Sequence, residues 1–60
     1  KVSEMKRLLR EGKCYKSSDG TRHEMWYSPI TNKHFPIPRH NAQELKNGTA
    51  EKILKQAGLK

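Results

Sequence analysis

Residues 19–27, which read DGTRHEMWY, decide the fold, because a turn dipeptide stands directly before a run of β-forming residues. Asp-Gly is a strong hairpin signal, since both residues suit the tight backbone of a connection between two strands. The segment before the turn, residues 13–17, is short, and the segment after it, residues 22–28, is rich in aromatic residues. The stretch therefore predicts an antiparallel hairpin with strands at these two segments.

A third strand and two helices are predicted on either side of the hairpin. Residues 33–38, KHFPIP, contain two prolines, which cannot donate ladder hydrogen bonds and therefore suit only an edge strand. Ser3 is a suitable cap for a helix that ends at Gly12, and Thr49 for a helix that ends at Gly58. The order helix-strand-strand-strand-helix predicts an α+β two-layer sandwich, with both helices on one face of a three-stranded antiparallel sheet.

Strand alternation divides the side chains of the second strand between the two faces of this sheet. It places His23, Met25 and Tyr27 on one face, and Glu24 and Trp26 on the other. One aromatic residue is therefore expected in the core, and the other is free to stack on an unpaired base if it is exposed.

Length and composition set limits on the class of protein. Sixty residues with a hydrophobic share of 32% allow one small domain, residues 1–60, with a thin core that benefits from a partner chain. The single Cys14 cannot form an internal disulfide and fits a reducing cytoplasm. A membrane-spanning helix needs about 18 consecutive apolar residues, and no run in this sequence approaches that length. No membrane association is therefore expected.

The charge balance indicates a polyanionic partner. Thirteen Lys and Arg residues against six Asp and Glu residues give a formal net charge of +7, which attracts phosphate or an acidic protein surface. The alternative is that the charge only keeps a small domain in solution.

The turn before the second strand contains the parts of a phosphodiester-transfer site. Gly20 permits close backbone approach, and Thr21 adds a hydroxyl group. Arg22 is a multidentate phosphate donor, and His23 exchanges a proton near neutral pH. A lone histidine after a glycine turn is more often a solvated strand residue, so this alternative stays open.

Four residues are potential zinc ligands, namely Cys14, His23, His34 and His40. Their spacing argues against a zinc site, because structural sites usually combine closely spaced pairs of ligands. No metal or cofactor is therefore expected, and His34 and His40 are interpreted as polar surface residues.

Three motifs stand out in the sequence, namely GTRHEMWYSP at residues 20–29, HFPIPRH at 34–40 and NGTAEKILKQAGLK at 47–60. Together they resemble the HicA family of bacterial toxins, which are small mRNA interferases of toxin–antitoxin modules. In that family a Gly, a small hydroxyl residue and a His open the second strand, a VPRH-like segment ends the third, and a GT…ILKQAG helix closes the domain. Thr21 stands where Ser is more usual, and Arg22 is interposed before the histidine, as in some members.

The resemblance implies a fold like the double-stranded-RNA-binding domain and metal-independent endoribonuclease activity with His23 as the catalytic imidazole. It also implies a bacterial, cytoplasmic protein that is neutralised by a HicB-type antitoxin. RNA would be held near His23, with His34, water or no group as the acid for the leaving oxygen. The residues expected to bind RNA are Gly20, Thr21, Arg22, Lys13, Lys16, Lys33 and Arg39.

Two other functions are compatible with the same residues. A non-catalytic module of the double-stranded-RNA-binding type would bind RNA and leave it intact, even when His23 is replaced. A subunit that binds only an acidic protein would show no affinity for RNA at low salt.

Overall fold

The chain forms two helices and one antiparallel sheet, as predicted. The computed structural model describes residues 1–60 and contains α1 (Val2–Glu11), β1 (Tyr15–Asp19), β2 (His23–Ser28), β3 (Lys33–Pro38) and α2 (Asn47–Ala57). No helix in it has the length and apolar character needed to cross a membrane.

The order of the strands in the sheet is β1-β2-β3, so β2 is central and β3 lies at an edge. The edge position predicted from the prolines is therefore confirmed. Pro36 pairs with Met25 and Pro38 pairs with His23, in an antiparallel register that runs along the whole of β3. This register places the start of β2 beside the end of β3.

Both helices pack on one face of the sheet. Trp26 is paired with Phe35, and Ile37 with Glu24, so these side chains share the face that the helices cover. Tyr27 lies on the opposite face, which confirms the alternation predicted for β2. The buried hydrophobic residues are Val2, Met5, Leu9, Cys14, Trp26, Phe35, Ile37, Ile53 and Ala57.

Neither predicted helix cap is correct. Ser3 lies inside α1, and its backbone N–H donates to the carbonyl oxygen of Asn41 at 3.0 Å, while that of Val2 donates to Gln43 at 3.0 Å. Backbone carbonyls of the loop after β3 thus satisfy the free N–H groups that a cap side chain would otherwise satisfy. Thr49 likewise lies within α2, whose N-cap is Lys46.

The first strand begins later than predicted, at Tyr15 rather than residue 13. The N–H of Cys14 donates to the carbonyl oxygen of Leu9 at 2.8 Å, and Lys13 has a φ of 71°. Lys13 and Cys14, which the pattern assigned to β1, therefore belong to the turn that ends α1. The left-handed residue is Lys13, whereas the predicted stop, Gly12, has a φ of -85°.

Gly20 is needed for space rather than for an unusual φ. Its N–H donates to the carbonyl oxygen of His23 at 2.8 Å, which closes the β1–β2 turn. A Cβ atom at this position would lie 2.5 Å from that oxygen, and Gly20 is not among the residues with positive φ. The predicted hairpin is therefore present, but its turn lies at residues 20–22, because Ser18 and Asp19, which were assigned to the turn, belong to β1. The need for glycine at position 20 comes from close approach rather than from positive φ.

The end of α2 is fastened to the β2–β3 turn. The buried Ser28 hydroxyl donates to the carbonyl oxygen of Ala57, and the Thr31 hydroxyl donates to that of Gln56, both at 2.6 Å. Gly58 then ends the helix in the left-handed region, with a φ of 78°. Its N–H donates to Lys55 and that of the next residue donates to Leu54, which is the Schellman pattern.

Replacing Gly58 with Ala is expected to lower the free energy of unfolding by about 1 to 3 kcal/mol. The new Cβ would be held at positive φ and would lie 2.7 Å from Ile30 Cγ2 and 2.9 Å from Thr31 Cγ2. Urea unfolding of the two proteins measures the change. The matched control is Gly48→Ala at the start of α2, where no atom lies within 4 Å and stability should hold or rise. Equal unfolding midpoints for Gly58→Ala and the wild type would contradict the prediction.

Candidate functional site

His23 is the first residue of β2, and its side chain is exposed. Its backbone is fixed on both sides, because its carbonyl accepts the Gly20 N–H and the residue pairs with Pro38 of β3. A rigid central strand therefore presents an accessible imidazole at one end of the sheet.

An open cleft of about 720 Å³ lies at this end of the sheet. It combines two guanidinium groups and two imidazoles with no carboxylate, a set that suits a phosphate group. We call it the rim cleft. Its lining residues are Thr21, Arg22, His23, Pro38, Arg39, His40 and Gln43.

Arg39 joins the two loops that form the rim cleft. Its Nη1 donates to the carbonyl oxygens of Gly20 at 3.1 Å and Thr21 at 3.3 Å. The residue predicted to bind RNA therefore also holds the turn in front of His23. Because a guanidinium has five N–H groups, three remain on Nη2 and Nε for a phosphate.

The arginines of the rim cleft carry uncompensated charge. Arg22 and Arg39 take part in none of the ion pairs. The chain has only six Asp and Glu residues for thirteen Lys and Arg residues, so many cations have no acidic partner. The four pairs are Lys6–Glu24, Arg7–Glu11, Lys16–Asp19 and Lys60–Glu51. The positive potential at His23 is thus not neutralised by a neighbouring carboxylate.

Two of the three lysines predicted to lie near His23 are not brought there. Lys33 pairs with Ser28 at the far end of β2, about 16 Å from the start of the strand at about 3.3 Å per residue. Lys13 precedes β1 at that same far end, because Tyr15 pairs with Tyr27. Antiparallel pairing thus carries both lysines away from the rim cleft.

Lys16 lies nearer to the start of β2 than the other two lysines, but on the other face of the sheet from His23. It is paired with Trp26, so it is on the helix-covered face, and its Nζ is 3.0 Å from Oδ1 of Asp19. The predicted proximity is therefore wrong for Lys13 and Lys33. Lys16 contacts Asp19, which pairs with Glu24 beside His23, and RNA contact by any of the three lysines stays a prediction.

Sequence reasoning missed three residues of the rim cleft, Pro38, His40 and Gln43, and one cation near it, Lys52. His40 was expected to be only a polar surface residue, yet it shares the cleft with His23. His40 follows Pro38 by two residues, and Pro38 pairs with His23. Aligning the start of β2 with the end of β3 would therefore have predicted that His40 lies near His23. Lys52 of α2 and His23 line a smaller neighbouring cleft, which no pattern in the sequence indicated.

A buried polar cluster lies beneath the start of β2. Oε1 of Glu24 accepts hydrogen bonds from Trp26 Nε1 and from Lys6 Nζ, each at 3.0 Å. The Trp26 hydrogen bond, followed by that of Lys6 and its charge, outweighs burial and holds the pKa of Glu24 below its ordinary value. Lys6 also donates to Oδ1 of Asn41 at 2.8 Å. The cluster ties β2, α1 and the loop after β3 together behind the rim cleft.

An aromatic row crosses the open face of the sheet. The rings of Tyr15 and Tyr27 are 5.5 Å apart, and those of Tyr27 and His34 are 4.8 Å apart. The Tyr27 hydroxyl also donates to Oδ1 of Asn32. His34, which was considered as the acid for the leaving oxygen, therefore contacts Tyr27 with its ring tilted by 51° and does not line the rim cleft.

The potential zinc ligands are distributed over different parts of the fold. Cys14 is buried in the core, with 3% of its surface exposed, whereas His34 belongs to the aromatic row. No group of three or more His, Cys, Asp or Glu side chains is arranged to hold a metal ion.

Comparison with known proteins gives one family and one similar solved structure. The family model described as the HicA toxin of bacterial toxin–antitoxin matches residues 2–59. The fold is also similar to a chain in the crystal structure of the E. coli HicAB toxin–antitoxin complex, with a TM-score of 0.83 and 30% sequence identity. That similarity covers 100% of both chains. A search of curated proteins found no match.

Proposed function

The chain belongs to the HicA toxin family of bacterial toxin–antitoxin systems, and from this membership we propose that it is a metal-independent endoribonuclease that cuts mRNA. The observation that carries the proposal is the exposed imidazole of His23 in a cleft with two guanidinium groups that form no ion pair with a carboxylate. A binding module would need the cations alone, whereas proton transfer needs a group such as this imidazole.

In the proposed reaction, neutral His23 takes the proton from a ribose 2′-hydroxyl. The 2′-oxygen attacks the adjacent phosphorus, the bond from phosphorus to the 5′-oxygen breaks, and a 2′,3′-cyclic phosphate remains. A positioned general base typically contributes about 10² to 10⁴ in rate. This is modest catalysis, but one cut in each transcript is enough to stop its translation.

The arginines have a separate part in the proposed reaction. Negative charge grows on the non-bridging phosphate oxygens as the 2′-oxygen attacks, and fixed cations in place beforehand stabilise it. Arg22 lines the rim cleft directly, and Arg39 is held in place by Gly20 and Thr21. Arg39 would therefore act on the phosphate with little reorganisation.

The aromatic row supports an unpaired RNA strand as the substrate. Bases that are not in a duplex can stack on exposed aromatic side chains, and each such contact is worth about 1 to 3 kcal/mol. Tyr15 is 54% exposed and lies on the same open face as Tyr27 and His34. A strand held by its phosphate at the rim cleft would extend its neighbouring bases over this face.

A HicB-type antitoxin is the proposed protein partner. The similar E. coli chain comes from a HicAB toxin–antitoxin complex, and the match spans the full length of both chains. The net charge of +7 favours an acidic surface on such a partner. Covering the rim cleft would keep RNA away from His23 and so silence the toxin.

Cleavage of a defined single-stranded RNA in excess EDTA tests the proposed function. The wild-type protein is expected to cut the RNA and to leave a matched strand with 2′-O-methyl groups intact, because a methylated oxygen cannot attack phosphorus. The products should carry 2′,3′-cyclic phosphate ends. Loss of cutting with chelator would rule out the metal-free route, and cutting of the methylated strand would rule out attack by the 2′-oxygen.

A further inference from the structure

We propose that His40 is the general acid that protonates the 5′-oxygen as it leaves, while His23 removes the 2′-proton. The inference rests on the proposed function and adds a second catalytic residue to it. It starts from the rim cleft, which contains two imidazoles and no carboxylate.

The fold places the two histidines within reach of one phosphodiester. His23 pairs with Pro38, and His40 follows Pro38 by two residues. Paired Cα atoms are about 5 Å apart and each residue advances the chain by at most about 3.6 Å, so the two histidine Cα atoms lie within about 13 Å. Both side chains are exposed and line the same cleft. A phosphate seated between two such rings has one on the side of the attacking oxygen and one on the side of the leaving oxygen.

His40 is held in a turn that is fastened to the rest of the protein. Its carbonyl oxygen accepts the N–H of Gln43 at 3.1 Å, which closes the turn. The carbonyl oxygens of Asn41 and Gln43 accept the N–H groups of Ser3 and Val2 at the start of α1. On the other side of His40, Pro38 is paired with His23 in the sheet. The backbone is therefore anchored both before and after His40, which is what positioning a proton donor requires.

The proton balance of the step is complete with these two residues. His23 enters neutral and leaves protonated after taking the 2′-proton, and His40 enters protonated and leaves neutral after giving a proton to the 5′-oxygen. One bond forms, from the 2′-oxygen to phosphorus, and one breaks, from phosphorus to the 5′-oxygen. Water restores both imidazoles by proton exchange, so no other reactant is needed.

A change of leaving group tests this role directly. In an RNA with sulfur in place of the bridging 5′-oxygen at the linkage that the wild type cuts, the thiolate leaves without protonation. His40→Gln is expected to cut the ordinary RNA about 100-fold or more slowly than the wild type. The same variant should cut the sulfur-substituted RNA at the wild-type rate, whereas His23→Gln should be slow on both.

His34→Gln is the matched control, because this third histidine belongs to the aromatic row and does not line the rim cleft. The cleavage rate of His34→Gln relative to that of the wild type should be the same on both RNAs. Wild-type activity of His40→Gln on ordinary RNA would overturn the inference and leave the proposed function standing. Equal loss on both RNAs would also overturn it, since His40 would then only bind RNA. Absence of any cutting by the wild type would overturn the proposed function itself.

Discussion

Replacing His23 with Gln is expected to lower the rate of RNA cleavage by about 10² to 10⁴, the contribution of a positioned general base. Glutamine keeps much of the size and polarity of the side chain, but it cannot accept the 2′-proton near neutral pH. Binding of RNA should change little, because the cations of the rim cleft, Arg22 and Arg39, remain. Cleavage rates and RNA affinity measured in the same buffer separate the two effects.

The stability of the His23 variant should equal that of the wild type. The side chain is exposed, and the hydrogen bond from the Gly20 N–H uses the backbone carbonyl of residue 23, which the substitution keeps. A melting curve for the variant therefore serves as the control for folding. Undiminished cleavage by a folded His23→Gln protein would contradict the catalytic role of this residue. RNA binding without cleavage by both the wild type and the variant would instead favour the non-catalytic RNA-binding alternative.

Replacing Lys6 with Met is expected to lower the free energy of unfolding by about 2 to 4 kcal/mol, because it leaves a largely buried carboxylate without its cation. Side-chain exposure is 6% for Lys6 and 16% for Glu24, so water cannot fully replace the lost partner. A domain of this size has only about 3 to 9 kcal/mol to lose. Urea unfolding at neutral pH measures the change.

A double-mutant cycle identifies the cause of that loss. Glu24→Gln removes the charge but keeps an oxygen for the Trp26 N–H, so the double variant should recover part of the stability that Lys6→Met loses. Strictly additive losses would show that Lys6 acts through packing alone. Lys60→Met is the exposed control, because its pair with Glu51 lies in solvent and should contribute little.

The same cluster predicts how stability depends on pH. The pKa of Glu24 is lower in the folded protein than its ordinary value of 4.5, so its contribution is fully present above that value. It is lost as the pH falls below 4.5 through the lowered folded pKa, because the unfolded chain then binds the proton more readily. The loss on acidification should be smaller in Lys6→Met than in the wild type.

Local patterns in the sequence were enough to predict the elements and the faces of the sheet. Alternation along β2 correctly separated Trp26 from Tyr27, because a strand has a side-chain period of two whatever surrounds it. The prolines of β3 correctly predicted an edge, because a missing N–H is a property of the residue itself. The cap residues failed as signals, since Asn41 and Gln43 satisfy the start of α1 from a distant loop.

The turn residues from Gly20 to His23 were found from the sequence because they are adjacent in the chain, and their chemistry is legible from residue type alone. The composition of the rim cleft was decided by tertiary structure. Antiparallel pairing brings Arg39 and His40 to His23 and carries Lys33 to the opposite end of the sheet, although all three lie on or beside β3. Residue identity sets what a side chain can do, but strand register and the anchoring of loops set which side chains meet, and those depend on contacts between distant parts of the chain.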